Sequence, residues 1–95
     1  MVKSSKEILS MNLRYYRLKY NLSQEKFAEV LGTSLSYLNQ IENLKVNVRL
    51  QTVDKFADNL KKYDSKSKIT ATDFLTYNSN HITNYNRVDE KRNNL

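Results

Sequence analysis

Leu9, Leu13, Tyr16 and Tyr20 recur at spacings of four, three and four, the stripe that one face of a helix produces. Ser4 or Ser5 is placed to cap the start of this first helix, Glu7 falls in its first turn, and Asn21 suits a left-handed stop. A second, shorter helix opens at Ser23, a good N-cap followed by Gln24 and Glu25, and turns Phe27, Ala28 and Leu31 inward. Gly32 ends it, where a positive φ is needed. A third helix starts after Thr33 or Ser34, buries Leu38 and Ile41, and ends near Glu42 or Asn43. A fourth covers about Leu50 to Lys62, with Leu50, Val53, Phe56, Ala57 and Leu60 on one face. The polar run Lys61 to Lys68 reads as a loop. Thr70 with Asp73 three positions on resembles a capping box, opening a short fifth helix through Phe74, Leu75 and Tyr77. Beyond it the chain is rich in Asn, a poor former of helix and strand, with Ile82, Tyr85 and Val88 as scattered apolar anchors.

Composition narrows this to an all-α domain. The 95 residues include no Pro and one Gly, too few turn formers for a β-fold. They allow one five-helix domain over residues 1–77, followed by a polar tail or partner-docking arm over 78–95. With no Cys and one His there is no disulfide framework and no metal site, and no cofactor is expected. His81 lies in the polar tail without a second ligand and reads as solvated. No stretch approaches the roughly 20 apolar residues that span a bilayer. Arg14 interrupts the start before a signal-peptide core forms, so a cytoplasmic location is expected.

Charge adds a partner class. The net charge is +6. Residues 1–62 hold eleven basic and six acidic side chains, a net +5, whereas residues 63–95 carry a net +1. The excess sits on the part that reads as folded, which suits a polyanion.

The segment Gln24 to Ile41, QEKFAEVLGTSLSYLNQI, carries the most specific pattern. Counting Gln24 as first, Ala28 is fifth, Gly32 ninth, Leu38 fifteenth and Ile41 eighteenth. Two helices that cross steeply need a small residue where they touch, Ala28, and a tight turn, Gly32; Leu31, Leu38 and Ile41 hold the angle from inside. With Arg17, the Leu22-Ser23-Gln24 start, Phe27-Ala28, Leu31-Gly32, Ile41-Glu42 and a helix from about Leu50, the chain from about Leu9 to Leu75 resembles the Cro/repressor (xenobiotic-response-element) family of bacteria and phages. Two places depart from that family. Leu44 stands where glycine is usual, so the third helix ends differently or Asn43 takes the left-handed conformation, and the 61–68 connection is long.

The resemblance implies a homodimer on a two-fold site in double-stranded DNA, with helix 34–42 in the major groove. Setting aside the inward Leu38 and Ile41, the residues facing the bases are Leu35, Ser36, Tyr37, Asn39 and Gln40. Asn and Gln pair bidentately with adenine, and apolar groups meet the thymine methyl, so an A·T-leaning site is expected. Backbone contacts fall to Gln24, at a helix start where a phosphate sits well, to Ser34, and to Asn43, Lys45, Asn47 and Arg49 in the following loop. Arg17 and Glu42 are implied as a structural ion pair. Tyr77 and Tyr85 are candidates for a dimer contact. A reading of a different class is an antitoxin that neutralises a protein partner through the tail from Asn78 to Leu95 and regulates itself through the same DNA-binding domain. An enzyme is disfavoured: one His, no Cys and carboxylates at helix-surface or ion-pair positions assemble no catalytic constellation.

Overall fold

The computed structural model describes residues 3–81. Five helices follow one another: α1 (Ser5–Lys19), α2 (Gln24–Leu31), α3 (Leu35–Glu42), α4 (Leu50–Tyr63) and α5 (Ala71–Phe74). There is no strand among the described residues. Residues 82–95, which include Ile82, Tyr85 and Val88 and most of the expected arm, lie outside the described residues, as do residues 1 and 2.

Local chemistry sets the helix ends. Ser4 caps α1, accepting from the Glu7 N–H, and the Glu7 carboxylate returns to the Ser4 N–H to complete a capping box. Ser23 and Ser34 cap α2 and α3 by accepting from the N–H groups of Lys26 and Tyr37. Thr70 and Asp73 form the expected capping box on α5, which is only four residues long. At the other ends, α1, α2 and α3 close alike. The chain turns left-handed at Asn21 (φ 55°), Gly32 (φ 76°) and Leu44 (φ 63°). Each turn is locked by paired bonds from the next N–H groups back to the last carbonyls, as in Leu22 to Arg17, Thr33 to Ala28 and Lys45 to Gln40. The departure at Leu44 is therefore met by Leu44 itself. Asn43 keeps φ at −99°, because the hydrogen-bonded closure places the left-handed residue one step further on.

The core joins Leu9 and Leu13 of α1, Phe27, Ala28 and Leu31 of α2, and Leu38 and Ile41 of α3 to Val53, Phe56, Ala57 and Leu60 of α4, with Ile69 and Phe74 closing the far side. α2 packs on α3 and α4, and α1 packs on α3 and α5. Full burial of side chains of this size contributes roughly 1.5–3 kcal/mol each. Leu50 corrects the expected face of the fourth helix: it is 71% exposed. It is the first residue of α4, one turn before Val53 reaches the core. Tyr16 is half-buried, its ring edge-on to Phe74 at 5.6 Å. Tyr20 donates its hydroxyl to Asp64 Oδ2 at 2.7 Å, pinning the connection that leaves α4. Burial, with this acceptor, pushes the Tyr20 phenol up to about 12. The same bond, with the Lys66 N–H, lowers the pKa of the Asp64 carboxyl.

His81 reverses its sequence reading. The chain continues past residue 77 into a helical turn at 79–81. There His81 is buried, stacked on Tyr15 with 3.7 Å between ring centroids.

Candidate nucleic-acid interface

α2, Gly32 and α3 form two helices joined by a tight turn. Ala28 is 2% exposed at their junction, and its small side chain lets the helices approach. Asn59 of α4 donates its Nδ2 to the Leu31 carbonyl at 2.7 Å, so a third helix braces the turn. With Leu38 and Ile41 fixed inward, α3 turns its opposite face to solvent. Leu35, Ser36 and Asn39 are exposed on it, and Gln40 is half-buried. Tyr37 departs from its expected place on the outer face: it is half-buried and packs against the core, because its long ring folds back onto apolar neighbours.

The C-terminal end of α3 is bound to α1 and α2 through one carboxylate. Arg17 Nε donates to Glu42 Oε2 and Arg17 Nη2 to Oε1, both at 3.3 Å, giving a bidentate pair in a buried setting. Arg14 Nε approaches Oε1 at 3.5 Å, and Gln24 Nε2 donates to the same oxygen at 3.2 Å. Ser10 Oγ donates to the Glu42 carbonyl at 2.9 Å. A single buried acid thus fixes where the outer face of α3 points relative to the start of α2.

The residues expected to touch the DNA backbone fall into two groups. Lys45, Asn47 and Arg49 are exposed on the loop leaving α3. Gln24, Ser34 and Asn43 are instead engaged within the protein. Ser34 Oγ accepts from the Tyr37 N–H at 3.0 Å. Asn43 Nδ2 donates to the Asn39 carbonyl at 2.8 Å and to Asn39 Oδ1 at 3.1 Å. Asn39 Nδ2 donates to Gln24 Oε1 at 3.5 Å.

A helix-turn-helix family model, HTH_3, matches residues 13–64, the span from α1 through the end of α4. The chain belongs to the Cro/C1-type helix-turn-helix family. Over 48 residues this helix-turn-helix chain is 46% identical to the control protein C.SmaI of Serratia marcescens; the match takes in 50% of the chain and 57% of that relative's length. The fold is similar to the crystal structure of a hypothetical transcription factor, NHTF, from Neisseria, with a TM-score of 0.67 at 21% identity, covering 87% of this chain and 91% of that one. No helix among the described residues is long and apolar enough to cross a membrane.

Sequence reasoning missed the polar support behind this helix-turn-helix. Ser10 and Asn12 were not singled out, yet both are buried. Asn12 did carry a signal: it lies three residues after Leu9 and four before Tyr16, on the inward side of a helix whose stripe is otherwise apolar. A buried amide needs partners, and Asn12 Nδ2 finds the carbonyls of Asp73, Phe74 and Thr76 at 3.2, 2.7 and 3.0 Å.

Proposed function

We propose that this protein is a sequence-specific regulator of transcription that binds a two-fold operator in double-stranded DNA as a homodimer, with α3 in the major groove. The observation that carries the reading is the outward face of α3. It is a short helix held at both ends, with Leu35, Ser36, Asn39 and Gln40 directed away from a core that Leu38 and Ile41 anchor. The major groove admits such a helix and offers each base pair a distinct pattern of donors and acceptors. Tyr37 adds the exposed part of its ring to this surface. Lys45 and Arg49 supply phosphate contacts at its edge, with Asn47 between them, and Ser34 and Gln24 lie at the helix starts where phosphate is favoured.

Membership of the helix-turn-helix family and the likeness to a control protein support regulation of transcription over other uses of a basic surface. One recognition helix covers only a few base pairs. Two copies with α3 helices about one DNA turn apart, roughly 34 Å, give the specificity that one lacks. The place of action is the cytoplasm, on nucleoid DNA.

Selection of bound DNA from a random pool, followed by mass measurement of the complex, tests this. The expected result is an inverted repeat with A·T-rich half-sites bound by two protein chains. Equal binding of all sequences, or a complex holding a different protein in place of the second copy, overturns it.

A further inference from the structure

Glu42, Gln24, Asn39 and Asn43 form one run of side-chain hydrogen bonds, and its direction is fixed. A buried carboxylate paired with Arg17 only accepts. Gln24 must therefore turn its Nε2 to Glu42, at 3.2 Å, which leaves its Oε1 facing α3. Asn39 answers with its Nδ2, at 3.5 Å, so its Oδ1 points the other way and accepts from Asn43 Nδ2 at 3.1 Å. Asn43 is held in turn by the Asn39 carbonyl at 2.8 Å. None of the three amides is free to exchange its oxygen and nitrogen ends without breaking a bond of the run.

We infer that Gln24 is a positioning residue for base recognition, setting the orientation of the Asn39 amide and through it which way round Asn39 reads an adenine. An amide has two N–H groups and two acceptor sites. The run uses one of each on Asn39 and leaves one of each, the complement that adenine N7 and N6–H require. Turned end for end, the same amide would present donor and acceptor in the opposite order along the groove. The buried acid thus sets the order, and Asn39 arrives at the DNA already oriented. This role differs from the phosphate contact that the position of Gln24 at a helix start suggests, and it rests on the proposal that α3 enters the major groove.

The test is base-resolved binding of the full chain and its variants to a DNA pool and to single-pair variants of the selected site. Asn39→Ala should erase the preference at one base pair of each half-site, a loss of about 5- to 150-fold in discrimination, as expected for one bidentate contact. Gln24→Met, which keeps the length of the side chain but not its amide, should lower the preference severalfold at that same pair and leave the other pairs unchanged. The double variant should match Asn39→Ala at that pair. Asn43→Ala asks the same question from the other end of the run if Gln24→Met is poorly folded by circular dichroism, and it should also weaken that one preference. Equal weakening of every sequence by Gln24→Met, with the Asn39 preference intact, would make Gln24 a phosphate contact and overturn the inference. Asn39→Ala without effect at any pair would overturn it too. Both outcomes are distinct from wild-type protein binding all DNA alike, which would remove the functional proposal itself.

Discussion

His81 Nδ1 lies 2.8 Å from Asn12 Oδ1, a bond between residues 69 positions apart. Its polarity follows from the other end of the amide. Asn12 Nδ2 is directed to three carbonyls at the end of α5, so Oδ1 faces the imidazole and Nδ1 donates. Burial, with Lys19 nearby, holds the His81 pKa below its ordinary value of 6.5. The neutral ring is thus preferred when folded, while the unfolded chain takes up a proton near pH 6.5. Stability from this group is complete above that pH. It falls as the pH drops below 6.5 toward the lowered folded value, and then levels off. Amide protection of residues 78–81, taken relative to the intrinsic exchange rate at each pH, should fall over that window, and His81→Phe, which keeps the stacking on Tyr15, should abolish the pH dependence. Protection of residues 78–81 that does not change with pH would remove the role given to the ring.

Arg17→Ala should cost up to about 3–5 kcal/mol, the penalty for breaking a buried ion pair, reduced by the contacts that Arg14 and Gln24 keep with Glu42. That is a large part of the roughly 5–15 kcal/mol that holds a small domain folded. Urea denaturation measures the loss directly. DNA binding should fall in proportion to the folded fraction. A well-folded Arg17→Ala protein that fails on DNA would instead assign Arg17 a direct contact.

Gly32→Ala and Leu44→Gly should shift stability with opposite signs, because one adds a Cβ at a left-handed position and the other removes one. Gly32 sits at φ 76°, and an added Cβ would stand 2.8 Å from Asn59 Nδ2, the group that braces the turn. Gly32→Ala therefore combines left-handed strain of about 1–2 kcal/mol with displacement of that brace. Leu44 already bears the strain at φ 63°, and its side chain is 41% exposed, so it returns little by burial. Leu44→Gly should raise stability by about 0.5–1 kcal/mol, the relief being partly offset by the greater freedom of glycine in the unfolded chain. Thermal melts of the two variants check both signs.

The residues that were legible in the sequence act locally. The apolar stripes, the Ser23 cap, the stops at Asn21 and Gly32 and the Thr70–Asp73 box all depend on neighbours within one or two turns, and pattern carries that information. Leu50 failed because periodicity gives a direction around the helix and not how far the core extends along it. The left-handed Leu44 was hidden because leucine has no preference for that geometry; only closure onto Gln40 and Ile41 imposes it. The pairing of His81 with Asn12 was illegible for a further reason: His81 looks ordinary beside its neighbours, the polar residue on the inward stripe at Asn12 names no partner, and the two meet only because the chain after α5 folds back on α1. On the candidate interface the residue types were readable, but not the bonds among Gln24, Asn39 and Asn43, which depend on the angle between α2 and α3.

Lys45 separates affinity from recognition. It is exposed on the loop that follows α3, beside the face assigned to the bases but not on it. A lysine there neutralises a phosphate and releases a counterion, which contributes about 0.9 to the slope of log affinity against log salt. Lys45→Ala should therefore weaken binding to specific and unrelated DNA alike, and lower the magnitude of that slope by about 0.9 for each copy in contact. Because the charge is solvent-exposed, the melting temperature should hardly move. Titrations at several salt concentrations, on the selected site and on a scrambled one, measure both quantities. An unchanged slope with an altered base preference would place Lys45 among the base-reading residues and move the edge of the interface inward.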